Sequence, residues 1–160
     1  MNIRNKLLHF FKGFKYAFEG ICYCIRYEKN MRFHIGAAVM VLIFSLICKL
    51  NANENCILML TVGGVIALEC VNTAIENTVD MLCRGQKNSY AKIAKDTAAD
   101  AVLVMAVAAL GVGIKIFANN KSITKIYNYF SEKPVTLLMV IVFIILWVIW
   151  VLKTDKKDKD

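Results

Sequence analysis

Between Ile3 and Ile25 the apolar residues Ile3, Leu7, Phe10, Phe11, Phe14, Phe18, Ile21 and Ile25 recur every three or four positions. They share one stripe of a helix, and Lys12, Lys15, Glu19, Tyr23 and Arg26 fall on its other faces. A helix this charged does not cross a bilayer, so the pattern predicts an amphipathic helix over about 3–28 lying in the interface plane. If that helix runs on to Glu28, the carboxylate projects near the apolar stripe and asks for a partner. Beyond it the pattern changes to near-continuous apolar runs at about 33–48, 56–82, 97–117 and 135–152. At about 1.5 Å per residue each reaches across, or nearly across, a hydrocarbon core of about 30 Å. The stretch 119–134 reads as a connecting loop, and 153–160, alternating in sign, as a solvated charged tail. The predicted fold class is all-α, a helical bundle embedded in the membrane.

Composition strengthens this reading. Hydrophobic residues make up 58% of 160, with one proline and a mean hydropathy of +0.53, against about 45–50% apolar residues in soluble domains. The net charge of +8 is placed where lipid headgroups explain it. Arg4, Lys6, Lys12, Lys15, Arg26, Lys29 and Arg32 precede the first span, and Arg84, Lys87, Lys92 and Lys95 crowd the loop after the second. That bracketing favours anionic lipid over nucleic acid and, by the positive-inside rule, puts the N-terminus and the 84–95 loop in the cytoplasm. Lys121, Lys125 and Lys133 run against the rule on the outer side. Lys6, Lys12 and Lys15 interrupt any signal-peptide core. The six cysteines form no C-x-x-C and read as free thiols, with Cys48 and Cys56, flanking one loop, the conceivable pair. His9 and His34 read as headgroup-level residues, and Trp147 and Trp150 as an aromatic belt.

The second span carries the chemistry. Asn72, Thr73, Glu76 and Asp80 follow Glu69 by three, four, seven and eleven residues, which places all five within a sector of about 100°. One helix face is therefore a polar, acidic stripe about 17 Å long. Carboxylates at membrane depth are expensive and mark function, whereas interhelical hydrogen bonding accounts for Asn72 and Thr73 but needs no acids. Lys92, Lys95 and Asp96 lie on the same side as Glu76. Cations for phosphate beside acids for Mg²⁺ meet the needs of phosphoryl transfer, where catalysis is mostly positioning and charge neutralisation. No G-x-x-x-x-G-K-[ST] loop occurs, so any nucleotide site is of another kind.

Four blocks, Phe14-Lys15-Tyr16-Ala17-Phe18-Glu19-Gly20, Glu28-Lys29-Asn30-Met31-Arg32, Glu69-x-x-Asn72-x-Ala74-Ile75-Glu76-x-x-x-Asp80 and Ala91-Lys92-Ile93-Ala94-Lys95-Asp96, occur in this order. In this the chain closely resembles the small prokaryotic diacylglycerol kinase family, including its Gram-positive undecaprenol kinases, over about residues 10–118. The resemblance implies a membrane lipid kinase domain over 1–118, a surface helix plus three spans, followed by an additional span. It implies a homotrimer in the bacterial plasma membrane, using ATP and Mg²⁺ to phosphorylate a lipid hydroxyl at the cytoplasmic surface. By the same resemblance Glu69 is the general base and Asn72 its support. Glu28 and Glu76 hold the metal on ATP, and Tyr16, Lys95 and Asp96 contact nucleotide. The subtype favours undecaprenol over diacylglycerol.

Three features depart from the family. Cys83-Arg84-Gly85-Gln86-Lys87-Asn88-Ser89-Tyr90 is one residue longer than the usual Pro-Glu-Tyr-His type segment, Asp100 stands where a small residue is usual, and the run at 135–152 has no counterpart. That last run is expected to be dispensable for the chemistry. Two other readings use the same residues. A small proton- or cation-handling membrane protein takes the Glu69–Asp80 stripe as its path but leaves the Lys92, Lys95, Asp96 loop without a role. A non-catalytic scaffold predicts no effect of Glu69→Gln.

Overall fold

A computed structural model describes residues 3–153, and the charged tail after Lys153 and the side chains of Arg4 and Lys6 lie outside the described residues. Six helices follow one another: α1 (Ile3–Tyr27), α2 (Lys29–Cys48), α3 (Ala52–Cys83), α4 (Ser89–Phe117), α5 (Asn120–Glu132) and α6 (Pro134–Leu152). Four of them, α2, α3, α4 and α6, are long and apolar enough to cross a membrane. The most extensive packing is between α3 and α4, with α2 against α3 and then α5 and α6 against α2.

Each boundary has a local cause. Glu28 is extended, at φ −105° and ψ 115°, and separates α1 from α2, so it is the hinge between surface helix and first span rather than the end of α1. The α2–α3 turn is closed from both sides. Lys49 adopts the left-handed region at φ 48° and donates its N–H to the α2 carbonyls, while Asn51 and Glu54 form a reciprocal capping box with both bonds at 3.0 Å. Arg84 and Gly85, at φ 47° and 79°, stop α3. Asn88 caps α4, which therefore starts well before the apolar run at 97–117 and carries Lys92, Lys95 and Asp96 on its first turns. Pro134 opens α6, where its missing N–H does no harm.

The stretch 119–134, expected as a loop, is mostly helix. Asn119 caps it by accepting from Ser122 N–H at 2.9 Å, and Ser122 returns a hydrogen bond to the Ile116 carbonyl at 2.9 Å. Lys125, against the positive-inside rule, donates its Nζ to the carbonyl of Cys48, placing a cation at the negative C-terminal end of α2. Cys48 is buried under this helix and its thiol faces the Ser122 carbonyl at 3.9 Å, Cys56 is exposed, and all six thiols are free.

The core is thin. Met31, Ala38, Cys48, Leu58, Val65, Ala98 and Val102 are buried, and α6 buries none of its residues to that degree. Large apolar side chains such as Leu60, Leu103, Val104 and Leu146 point outward, as they do when lipid is the solvent. Trp147 does not stand free in a belt: its indole Nε1 donates to the Arg32 carbonyl at 3.2 Å.

Candidate active site

Glu69 on α3 lies within range of the charges of two other acids, Glu28 at the α1–α2 hinge and Glu76. It is 2% exposed. Glu76 lies seven residues further along α3, about 10 Å toward the 84–92 loop at the rise of a helix. Thr73, also 2% exposed, turns its hydroxyl back to the Glu69 carbonyl at 3.0 Å. It fills the face beside Glu69 without competing for the carboxylate.

Asn72 is placed differently from its expected role. Its amide Nδ2 donates to Glu76 Oε1 at 3.0 Å, so within this chain it orients Glu76, the carboxylate expected to hold metal, rather than Glu69. Its Oδ1 is buried without a hydrogen-bond partner. An orphaned acceptor costs free energy unless something fills it, and here it is a hard oxygen beside a carboxylate. Among the described residues no three His, Cys, Asp or Glu side chains close into a metal cage. That donor set fits Mg²⁺, which is held by one or two carboxylates plus waters and substrate phosphates rather than by an all-protein cage.

Beyond Glu76 the helices splay into an open cleft of about 1150 Å³ lined by Tyr23, Asn77, Asp80, Arg84, Lys87, Asn88, Lys92 and Lys95, among others. Lys95 is fixed in its wall by Asp80, with Nζ 2.9 Å from Oδ1 and 3.2 Å from Oδ2. Asp96 and Tyr16 are exposed and do not line this cleft; Tyr16 lies twelve residues up α1 from Glu28, about 18 Å along the helix axis. The single chain thus brings together Glu28, Glu69, Asn72 and Glu76, sets Lys95 at the next station, and leaves Tyr16 and Asp96 apart.

Sequence reasoning passed over two cleft residues. Tyr23 hydroxyl approaches Asn77 Oδ1 at 3.4 Å, joining α1 to α3 at the cleft rim. The signal was present, since Tyr23 leaves the apolar stripe of α1 and Asn77 adjoins Glu76. Arg84 and Lys87, read for topology and as part of the lengthened 83–90 segment, also line the cleft. A smaller crevice of about 300 Å³ separates α1 from α3, lined by Ala17, Gly20, Ile21, Cys70, Thr73 and Ala74, among others.

Four membrane-length helices with a carboxylate buried below a basic cleft at one end are the frame of a small multi-pass membrane protein. The sequence pattern of the prokaryotic diacylglycerol kinase family matches residues 15–117, and the chain belongs to that family. An undecaprenol kinase of Bacillus subtilis (strain 168) is 45% identical over 114 residues, covering 71% of this chain and 92% of the relative. A diacylglycerol kinase of Synechocystis sp. (strain ATCC 27184 / PCC 6803 / Kazusa) is 40% identical over 101 residues, covering 63% of this chain and 58% of that relative. By family membership the chain is a lipid kinase of the membrane, and α6 lies beyond the matched residues. No solved structure matches it.

Proposed function

We propose that the protein transfers the γ-phosphoryl group of ATP to the hydroxyl of a membrane lipid, undecaprenol first and diacylglycerol second, at the cytoplasmic face of the bacterial plasma membrane. The observation that carries this is the order of groups along α3. The buried Glu69 comes first, the Asn72–Glu76 pair follows, and Lys95 and the basic cleft lie beyond, so a lipid held in the bilayer and a nucleotide held in the cleft meet at the acids.

In this reading the crevice between α1 and α3 admits the lipid's hydroxyl end toward Glu69. Glu69 accepts the hydroxyl proton as the lipid oxygen bonds to the γ-phosphorus and the bond from phosphorus to the ADP oxygen breaks. Glu76, oriented by Asn72, and Glu28 at the hinge would hold Mg²⁺ on the polyphosphate, beside the buried Asn72 Oδ1. When bound, that ion neutralises the phosphate oxygens. Lys95 and the other cleft cations bind phosphate, with Asp96 and Tyr16 as further nucleotide contacts. We read the assembly as a homotrimer on the family's pattern, with the N-terminus inside. The preference for undecaprenol rests on the Bacillus relative, whose match spans nearly its whole length. A cation-handling protein has no use for the basic cleft and finds no support in the family match.

The test is transfer of γ-labelled phosphate from ATP to undecaprenol and to dioleoylglycerol by purified protein in the same mixed micelles. Product with neither lipid overturns the reading, and a higher kcat/KM with dioleoylglycerol reverses the order of substrates.

A further inference from the structure

Arg32 is a charged side chain buried to 2% exposure beside the hinge. Its Nη1 donates to the carbonyl of Arg26 at 2.8 Å, in the last turn of α1. Its Nη2 donates to the carbonyl of Lys153 at 2.6 Å, the residue that caps α6. Two helix C-termini, each the negative end of its dipole, therefore converge on one guanidinium. A planar fork is what reaches two carbonyls at once. Nε, equally buried, has no hydrogen-bond partner, so removing the Lys153 carbonyl would leave a second donor of a buried cation unsatisfied.

The α6 side of this junction is built for close approach. Trp147 Nε1 donates to the Arg32 carbonyl at 3.2 Å, its ring lies 5.4 Å from that of Phe33, and the indole occupies the space where a Cβ on Gly36 would stand. Glu28 lies one turn before Arg32 and its carbonyl accepts the Arg32 N–H at 3.3 Å. The first turn of α2 is thus gripped by α6 on one side and carries Glu28 at its tip.

We propose that α6 is a positioning element for the active site: through Arg32 and Trp147 it fixes the α1–α2 hinge and so holds Glu28 opposite Glu76. The proposal rests on the role given to Glu28 above. It replaces the expectation from sequence that the last span is dispensable. Arg32 and Trp147 act here as positioning residues, with no contact to substrate.

Kinetics of the full chain in mixed micelles test it, with MgATP and undecaprenol varied separately for Trp147→Ala, Arg32→Lys, their double variant and Trp147→Phe. Trp147→Ala and Arg32→Lys should each raise KM for MgATP about three- to tenfold, the scale of one net hydrogen bond, while KM for the lipid stays within about twofold of the parent. The double variant should be no worse than the weaker single, because both break one junction. Trp147→Phe, which keeps a ring over Gly36 but loses the donor to the Arg32 carbonyl, should fall between the parent and Trp147→Ala. An unchanged KM for MgATP in folded Trp147→Ala, or losses that multiply in the double variant, overturns the proposal. A readout free of activity runs beside it: the distance between spin labels at K29C and T78C, in a background lacking the native cysteines. That distribution should be narrow in the parent and broaden in Trp147→Ala, and an unaltered distribution likewise overturns the proposal. A parent protein with no kinase activity removes the role given to Glu28 instead, and the label distances then decide alone whether α6 sets the hinge.

Discussion

Asn72 and Glu76 are hydrogen-bonded to each other one turn apart on α3, amide Nδ2 to carboxylate Oε1 at 3.0 Å. That bond predicts that Asn72 sides with the expected metal ligand and not with the expected base. Asn72→Leu should raise the Mg²⁺ concentration needed for half-maximal rate several-fold, with part of the rate restored at high Mg²⁺. If its kcat instead falls by the same factor at every Mg²⁺ concentration, Asn72 belongs with Glu69.

The three glutamates separate by what rescues them. Glu69→Gln keeps size and hydrogen bonding but cannot take a proton, and loss of a general base typically lowers rate about 10²–10⁴-fold. Its kcat should collapse at all Mg²⁺ concentrations while nucleotide binding persists. Glu28→Gln and Glu76→Gln each remove one negative charge and one oxygen of the proposed metal site, so their losses should shrink as Mg²⁺ rises. Rate measured against Mg²⁺ for the three variants checks both statements.

Lys95 and Asp80 form an ion pair with both side chains part-exposed, 34% and 66%. Such pairs contribute about 0–1 kcal/mol, so Asp80→Asn should move the denaturation midpoint little and lower activity only modestly. Lys95→Met removes a cation from the cleft and should raise KM for MgATP about tenfold or more, given the strength of charge-assisted phosphate contacts. Titrating MgATP for both variants separates cleft chemistry from stability.

Thiol reactivity reads the fold directly. Cys22 and Cys56 are exposed, whereas Cys24 and Cys48 are buried. In detergent the first two should react with a maleimide at once and the second two only after unfolding. On intact cells an impermeant maleimide should reach Cys56 and leave Cys22 unlabelled, since the proposed topology puts the α2–α3 turn outside and α1 inside. The reverse labelling pattern would invert the topology.

What was legible in the sequence was whatever lipid makes conspicuous. Glu69, Asn72 and Glu76 stand out because a polar stripe in an apolar helix is costly to insert and persists where it is used, and Glu28 stood out as an acid near an apolar stripe. Arg32 was hidden, because one more cation before a span looks like a topology signal, and only the fold brings the α6 terminus to it. Helix α5 was hidden by its two lysines, although Ile123, Ile126, Tyr127 and Phe130 repeat at three- and four-residue steps and Asn119 is a ready cap. The partner of Asn72 was not readable either, since Glu69 and Glu76 lie nearly equidistant along one face and rotamers decide between them.

The short turn between α2 and α3 reaches further than its position suggests. Lys49 and Asn51 lock it at both ends, and from there Glu28 stands about 30 Å down one limb and Glu76 about 36 Å down the other. The hairpin behaves as a pair of tongs whose pivot lies on the far side of the bilayer from its tips. Hydrogen bonds that no substrate visits set the depth of both carboxylates. One residue added to either limb would slide its acid by about 1.5 Å and swing it by about 100°. The two limb lengths therefore act on the site together, and tilting of the pair as a unit is the expected response to a thicker or thinner bilayer.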